Sequence, residues 1–149
     1  MSERNFDRVS ARLYQGGRVD GRYAYKPFDM IVLCSEEHQP RMSRFHGKIV
    51  RPRFDDTLYP NERETAAAFA AAKQVAGELY KGGVVLVTCS AGLNRSGLVT
   101  GLALCMGTKL HGEQIVTLIR RARGDWALGN RTFEKMVRDF AQGKARHRA

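Results

Sequence analysis

Residues 84–97, VVLVTCSAGLNRSG, constrain this chain more than any other stretch. Residues 84–88 form an apolar and β-branched run with no charged interruption. That is the pattern of a strand buried on both faces, which requires material packed on each side of its sheet. A tight loop follows, with Gly92 at its centre, and a helical pattern begins at about 97. Strand, loop and helix in that order are the repeating unit of an α/β domain.

The remaining sequence reads the same way. Residues 13–17 (LYQGG) and 29–34 (DMIVLC) suit short strands, and Ile49–Val50 suit a third that Pro52 ends or places at an edge. Residues 35–47 are polar, contain Pro40 and predict a loop, as does RFDDTLYPNE. The clearest helix is 61–80, with Asn61 as cap, Glu62 and Glu64 in its first turn, and Phe69, Val75 and Leu79 on its apolar side. Further helices are expected at about 97–106, 111–123 and 131–141, with GDWALGN as a loop. The ending GKARHRA, from about 143, reads as a frayed basic tail. With 149 residues and no linker or repeat, the expectation is one α/β domain over 1–149, its central sheet flanked by helices.

Charge narrows the partners without choosing one. Lys plus Arg number 25 against 15 Asp plus Glu, a net charge of +10. Such a surface attracts anions: a phosphorylated protein, a nucleic acid such as an RNA 5′ end, or an acidic membrane. The three cysteines, Cys34, Cys89 and Cys105, are odd in number and widely spaced. The opening MSERNFDRVSARLY lacks the apolar core of a secretory signal. Together these argue against a disulfide framework and for a reducing, cytoplasmic setting. No apolar run reaches the ~18 to 20 residues of a membrane span. CxxC pairs, zinc-type Cys/His spacing and HExxH are absent, so the sequence supports no metal site and calls for no cofactor.

Chemistry concentrates in CSAGLNRSG. Cys89 falls at the carboxyl end of the buried strand, where open α/β sheets bind ligands. Arg95 stands five residues later, at the start of a helix. A loop of this kind turns successive N–H groups inward as an anion nest, and the helix adds its positive end. Ser90, Ala91 and Gly92 are small enough for the backbone to curl around a tetrahedral anion, with Leu93 and Asn94 completing the turn. Cys89 then offers a thiolate nucleophile, which the cationic surroundings favour. Arg95 offers a planar fork for two phosphate oxygens. Ser96 can donate a hydrogen bond to the sulfur as it leaves a phosphocysteine. Without chemistry, the same residues are a buried strand-end cysteine and a helix-capping arginine.

CSAGLNRSG resembles the phosphate loop of the cysteine-based protein phosphatases, in their small, atypical dual-specificity subgroup. LYQGG resembles that subgroup's opening strand and turn, and RRARGDWALGNRTFEKMV its closing element. The resemblance implies a mixed sheet of about five strands with helices on both sides. It also implies a general acid on a loop some thirty residues before the cysteine, where Asp55 and Asp56 lie. The FDD run resembles that of regenerating-liver phosphatases, whose second aspartate aligns with the acid, which favours Asp56. Asn130 resembles the family asparagine that bonds the phosphate loop from below, though it also suits an N-cap for the last helix. The family usually has histidine before the nucleophile. Thr88 stands there instead and keeps only a hydroxyl.

The ending RHRA has no cysteine, so no prenyl anchor is expected. Trp126 reads as packing, Cys34 and Cys105 as buried apolar residues, and His38, His46, His111 and His147 have no matching partner. The implied function is a cofactor-free phosphomonoesterase acting on phosphotyrosine, with phosphoserine and phosphothreonine as further substrates. An RNA 5′-phosphatase and a phosphoinositide phosphatase are alternatives on the same fold. The absence of lysine from the loop counts against the second of these. A catalytically weak phosphoprotein-binding module is the non-enzyme alternative.

Overall fold

A computed structural model describes residues 5–148. Five strands form one mixed sheet: β1 (Phe6–Ser10), β2 (Leu13–Gly16), β3 (Met30–Leu33), β4 (Lys48–Val50) and β5 (Val85–Thr88). Their order across the sheet is β1-β2-β5-β3-β4. β1 pairs antiparallel with β2, and the other neighbours are parallel. β5 thus lies at the centre, as its uninterrupted apolar run requires. Val85 and Val87 face one core, Leu86 the other, and all three are fully buried. The five-strand mixed sheet is the one the phosphate-loop resemblance implied.

Four helices accompany it: α1 (Glu62–Tyr80), α2 (Arg95–Gly107), α3 (Gly112–Arg123) and α4 (Arg131–Arg148). Their buried side chains all join the core on one face of the sheet. The other face is covered by the 17–28 and 35–47 connections, which supply Val19, Tyr25, Phe28, Met42 and Phe45. This corrects the expectation of helices on both sides. Those connections carry enough aromatic and aliphatic surface to close the second core without a helix. Phe6, Tyr14 and Phe28 pack edge to face within it.

α2 leaves the phosphate loop and runs through the middle of the helical layer, buried continuously from Arg95 to Cys105. Gly101 lets it approach α4, since a Cβ there would lie 2.7 Å from a Val137 methyl. α1 carries the expected Asn61 cap as a capping box: Asn61 Oδ1 accepts from Glu64 N–H, and Glu64 accepts in return from Asn61 N–H.

Two expectations change at the ends. Residues 6–10 form a strand, although FDRVS, with two charges in five residues, did not signal one; only Val9 is buried in this edge strand. The tail expected to fray from about 143 instead continues α4 to Arg148, with Ala149 outside the described residues. Ala141 is buried against the core, and ion pairs Glu134–Arg138 and Lys135–Asp139 support the helix one turn apart. Among the described residues, no helix is long and apolar enough to cross a membrane.

Candidate active site

The carboxyl ends of the parallel strands converge on residues 89–95. Cys89 follows β5 directly, and its N–H donates to Gly16 O at the end of β2 (3.2 Å). Gly92 takes φ +76, a region costly for any residue with a Cβ. A Cβ there would also stand 2.6 Å from Gly16 C, so glycine is required twice over. Among the described residues, no protein acceptor takes the backbone N–H groups of Ser90 through Asn94. Donors left open around a helix start make an anion nest.

Cys89 is buried, and its Sγ lies 3.2 Å from Ser96 Oγ. A hydroxyl in this position can donate to a thiolate. Thr88, where the resembling family has histidine, turns its hydroxyl away to donate to Val32 O (2.8 Å). It therefore braces β5 against β3 just before the loop. Cys34 directly follows β3, and burial, then the neighbouring Cys89, pushes its thiol well above the ordinary value.

Arg95 is 6% exposed, and its guanidinium is already half committed. Nη1 donates to Glu37 Oε1 (2.7 Å) and Nη2 to Glu37 Oε2 (2.5 Å), a bidentate pair. Ser90 Oγ donates to the same Oε2 (2.6 Å) and sits 3.0 Å from Ser35 Oγ. Arg95 Nε, in contrast, is buried without an acceptor. An orphaned donor on a buried cation is costly unless an anion completes it. That nitrogen, with the open loop N–H groups, suits a tetrahedral dianion.

Glu37 was missed in the sequence, as were two further braces. The buried Gln15 donates to Gly92 O (3.0 Å) from β2. Arg123, at the end of α3, donates to Gly92 O and Ala91 O (both 3.1 Å) and pairs with Asp7. These side chains bond the loop carbonyls from outside, which leaves its N–H groups free on the inner side.

Asp56 and Asp55 part company in the structure. Asp56 accepts from Asn94 Nδ2 of the phosphate loop (3.0 Å) and from Asn130 Nδ2 (2.8 Å), one amide on each carboxylate oxygen. Asp55 is directed elsewhere: its N–H donates to Glu64 Oε2 (2.8 Å), and its Oδ1 accepts from Asp56 N–H (2.8 Å). The two N–H donors, Asp55 and then Asn61, lower the Glu64 carboxyl. Asn130 caps α4, accepting from Thr132 and Phe133 N–H (both 3.1 Å). It meets the phosphate loop through its own N–H, which donates to Asn94 Oδ1 (3.0 Å). Its amide also holds Thr57 O (3.0 Å). Asn94 and Asn130 thus clamp the aspartate loop to the phosphate loop. Trp126, expected in the packing, is 81% exposed. Its neighbours Ala127 and Leu128 take the core positions instead.

The Arg95 guanidinium, then the Ser90 hydroxyl, holds the Glu37 carboxyl well below its ordinary 4.5. A carboxyl lowered on folding stabilises the fold above its unfolded value and loses that contribution as pH falls through the folded one. Glu37→Gln should therefore cost a constant stability increment above about pH 5 that shrinks on acidification below that point. Urea unfolding of both proteins across that range measures it. An increment that grows on acidification contradicts the pairing.

No protein-family model matches the chain, and no curated protein matches it. Solved structures do. The chain is similar to Tk-PTP in its active form, with a TM-score of 0.78 and 16% identity over 93% of this chain and 97% of that one. It is similar to human DUSP28 at a TM-score of 0.76 and 18% identity, covering 93% and 94%. A third likeness is to PTPMT1 in complex with PI(5)P, at 0.75 and 14% identity, covering 97% and 99%. At these identities the likeness defines the fold. It is that of the dual-specificity and tyrosine phosphatases, the class that the CSAGLNRSG loop resembles.

Proposed function

We propose that this protein is a cysteine-dependent phosphatase that hydrolyses phosphotyrosine in proteins, and phosphoserine or phosphothreonine more slowly, through a phosphocysteine. The observation that carries this reading is the orphaned Arg95 Nε, together with loop N–H groups left without an acceptor, on the loop that begins at the buried Cys89. Cys89 thiolate attacks phosphorus and the ester oxygen leaves. The charge spread over the equatorial oxygens is met by Arg95 and the loop N–H groups. Glu37 holds the guanidinium in plane for this task as a positioning residue, since it touches Arg95 and not the reacting atoms.

Asp56 supplies the proton for the leaving oxygen and afterwards takes one from the attacking water. Asn130 and Asn94 each hold one of the Asp56 carboxylate oxygens with an amide N–H, which orients the group, and Oδ2, on the phosphate-loop side, is the oxygen that delivers the proton. Ser96 donates to the sulfur as it is released. No step calls for a cofactor or metal.

An assay across phosphotyrosine, phosphoserine, phosphoinositide and 5′-triphosphate RNA substrates tests the substrate class. Phosphotyrosine peptides are expected to give the highest kcat/KM. A higher value for RNA or for a phosphoinositide would replace the protein substrate while leaving the chemistry in place.

A further inference from the structure

A glutamine occupies a core position of β2. Side chains alternate along a strand, so Leu13 and Gln15 share a face, and Leu13 is buried in the core beneath the helices. Gln15 stands in register between Asp7 of β1 and Val87 of β5, and it is fully buried. Its Nε2 donates to Gly92 O (3.0 Å), but its Oε1 is buried with no hydrogen-bond partner among the described residues. An apolar side chain of the same length would fill this position without an orphaned acceptor, whose burial is costly. Packing alone therefore does not account for Gln15.

The amide holds the middle one of three consecutive loop carbonyls, each of which has a donor. Arg123 Nη2 donates to Ala91 O, Arg123 Nε and Gln15 Nε2 both donate to Gly92 O, and Leu128 N–H donates to Leu93 O (3.1 Å). In a planar trans peptide the carbonyl and the N–H that follows it point in opposite directions. Pinning carbonyls 91, 92 and 93 thus turns the N–H groups of Gly92, Leu93 and Asn94 the other way, where none meets an acceptor among the described residues. The middle peptide is the most easily turned. It follows Gly92, at φ +76, and glycine restrains its neighbouring peptides less than any other residue does. That carbonyl is the one given two side-chain donors. Thr88 takes no part, since its hydroxyl donates to Val32 O.

Resting on the phosphatase reading above, we propose that Gln15 is a positioning residue which, with Arg123, fixes the Gly92–Leu93 peptide so that the Leu93 N–H serves as a phosphate donor. Gln15 acts through the backbone and touches no reacting atom. Released, this peptide can turn its carbonyl toward the dianion and present an acceptor where a donor is needed. The orphaned Oε1 is the stability given up to keep the donor in place.

Gln15→Met keeps the length of the side chain and removes both the donor and the orphaned acceptor. Vanadate affinity by calorimetry and kcat/KM for p-nitrophenyl phosphate should each fall by about fivefold. Urea unfolding should show stability equal to or above that of the wild type. Unchanged vanadate affinity, or a loss of affinity accompanied by lower stability, would make Gln15 a structural residue and overturn the proposal.

A double-mutant cycle with Arg123→Met reads the shared carbonyl. Arg123 also holds Ala91 O and pairs with Asp7, and the cycle cancels those contacts. Either donor alone keeps Gly92 O partly held, so the double variant should lose more vanadate affinity than the product of the two single losses. A loss no greater than that product would mean that the two side chains act separately, against the proposal. Vanadate binding and unfolding need no turnover. A protein that hydrolyses no phosphate ester, yet whose vanadate affinity still follows Gln15, would refute the phosphatase reading and retain the positioning role.

Discussion

Cys89→Ser is expected to abolish turnover, by roughly a factor of 10⁴ to 10⁶, while binding of inorganic phosphate or vanadate survives. A serine hydroxyl is far less acidic than a thiol and is a poor nucleophile without a base. Among the described residues, the hydrogen-bonding neighbour of Cys89 Sγ is the Ser96 hydroxyl, which is not a base. The anion nest rests on other groups. Gly92 with its positive φ, the Gln15 and Arg123 braces on the loop carbonyls, and the Glu37-held Arg95 are all untouched by the substitution. Turnover by calorimetric or phosphate-release assay, beside vanadate binding by calorimetry, separates the two properties. Comparable turnover in both proteins would end the cysteine mechanism.

Asp56→Asn should lower turnover by about 10² to 10⁴ on alkyl phosphates and far less on activated aryl phosphates. A phenolate with electron-withdrawing groups departs as an anion, whereas an alkoxide needs a proton. The same substitution should flatten the alkaline limb of the pH profile, which reports loss of the acid's proton. Asp55→Asn is the matched control. It shares the loop, the charge and the exposure, but its carboxylate accepts the Asp56 N–H, whereas the Asn94 and Asn130 amides bond Asp56. A leaving-group-dependent loss in the Asp55 variant and not in the Asp56 variant would move the acid by one residue.

The central strand and loop were legible because their signals are local. A short β-branched run between Gly82–Gly83 and a small-residue loop reads as a doubly buried strand, and β5 is one. The Asn61 cap with its Glu64 return likewise lies within one helical turn. What stayed hidden is what distance in sequence conceals. Glu37 stands 58 positions before Arg95 and reads as one more charge in a polar loop until β3 and β5 are laid side by side. Gln15 and Arg123 reach the Gly92 carbonyl from 77 and 31 positions away. β1 was invisible for a different reason: an edge strand needs apolar residues on one face only, and five residues are too few to show the alternation. Trp126 was misread because residue type predicts burial on average, whereas Ala127 and Leu128 had already filled the core beside it.

Hydrolysis by this route requires the phosphoryl group to pass through Cys89. The most direct test is a rapid denaturing quench of the wild-type protein during turnover of an isotopically labelled phosphotyrosine peptide, followed by mapping of the labelled fragment. Label is expected on the fragment carrying Cys89, appearing before free phosphate accumulates and absent from the Cys89→Ser protein. Phosphate released at the normal rate with no label at Cys89, or with label on another residue, would contradict the account.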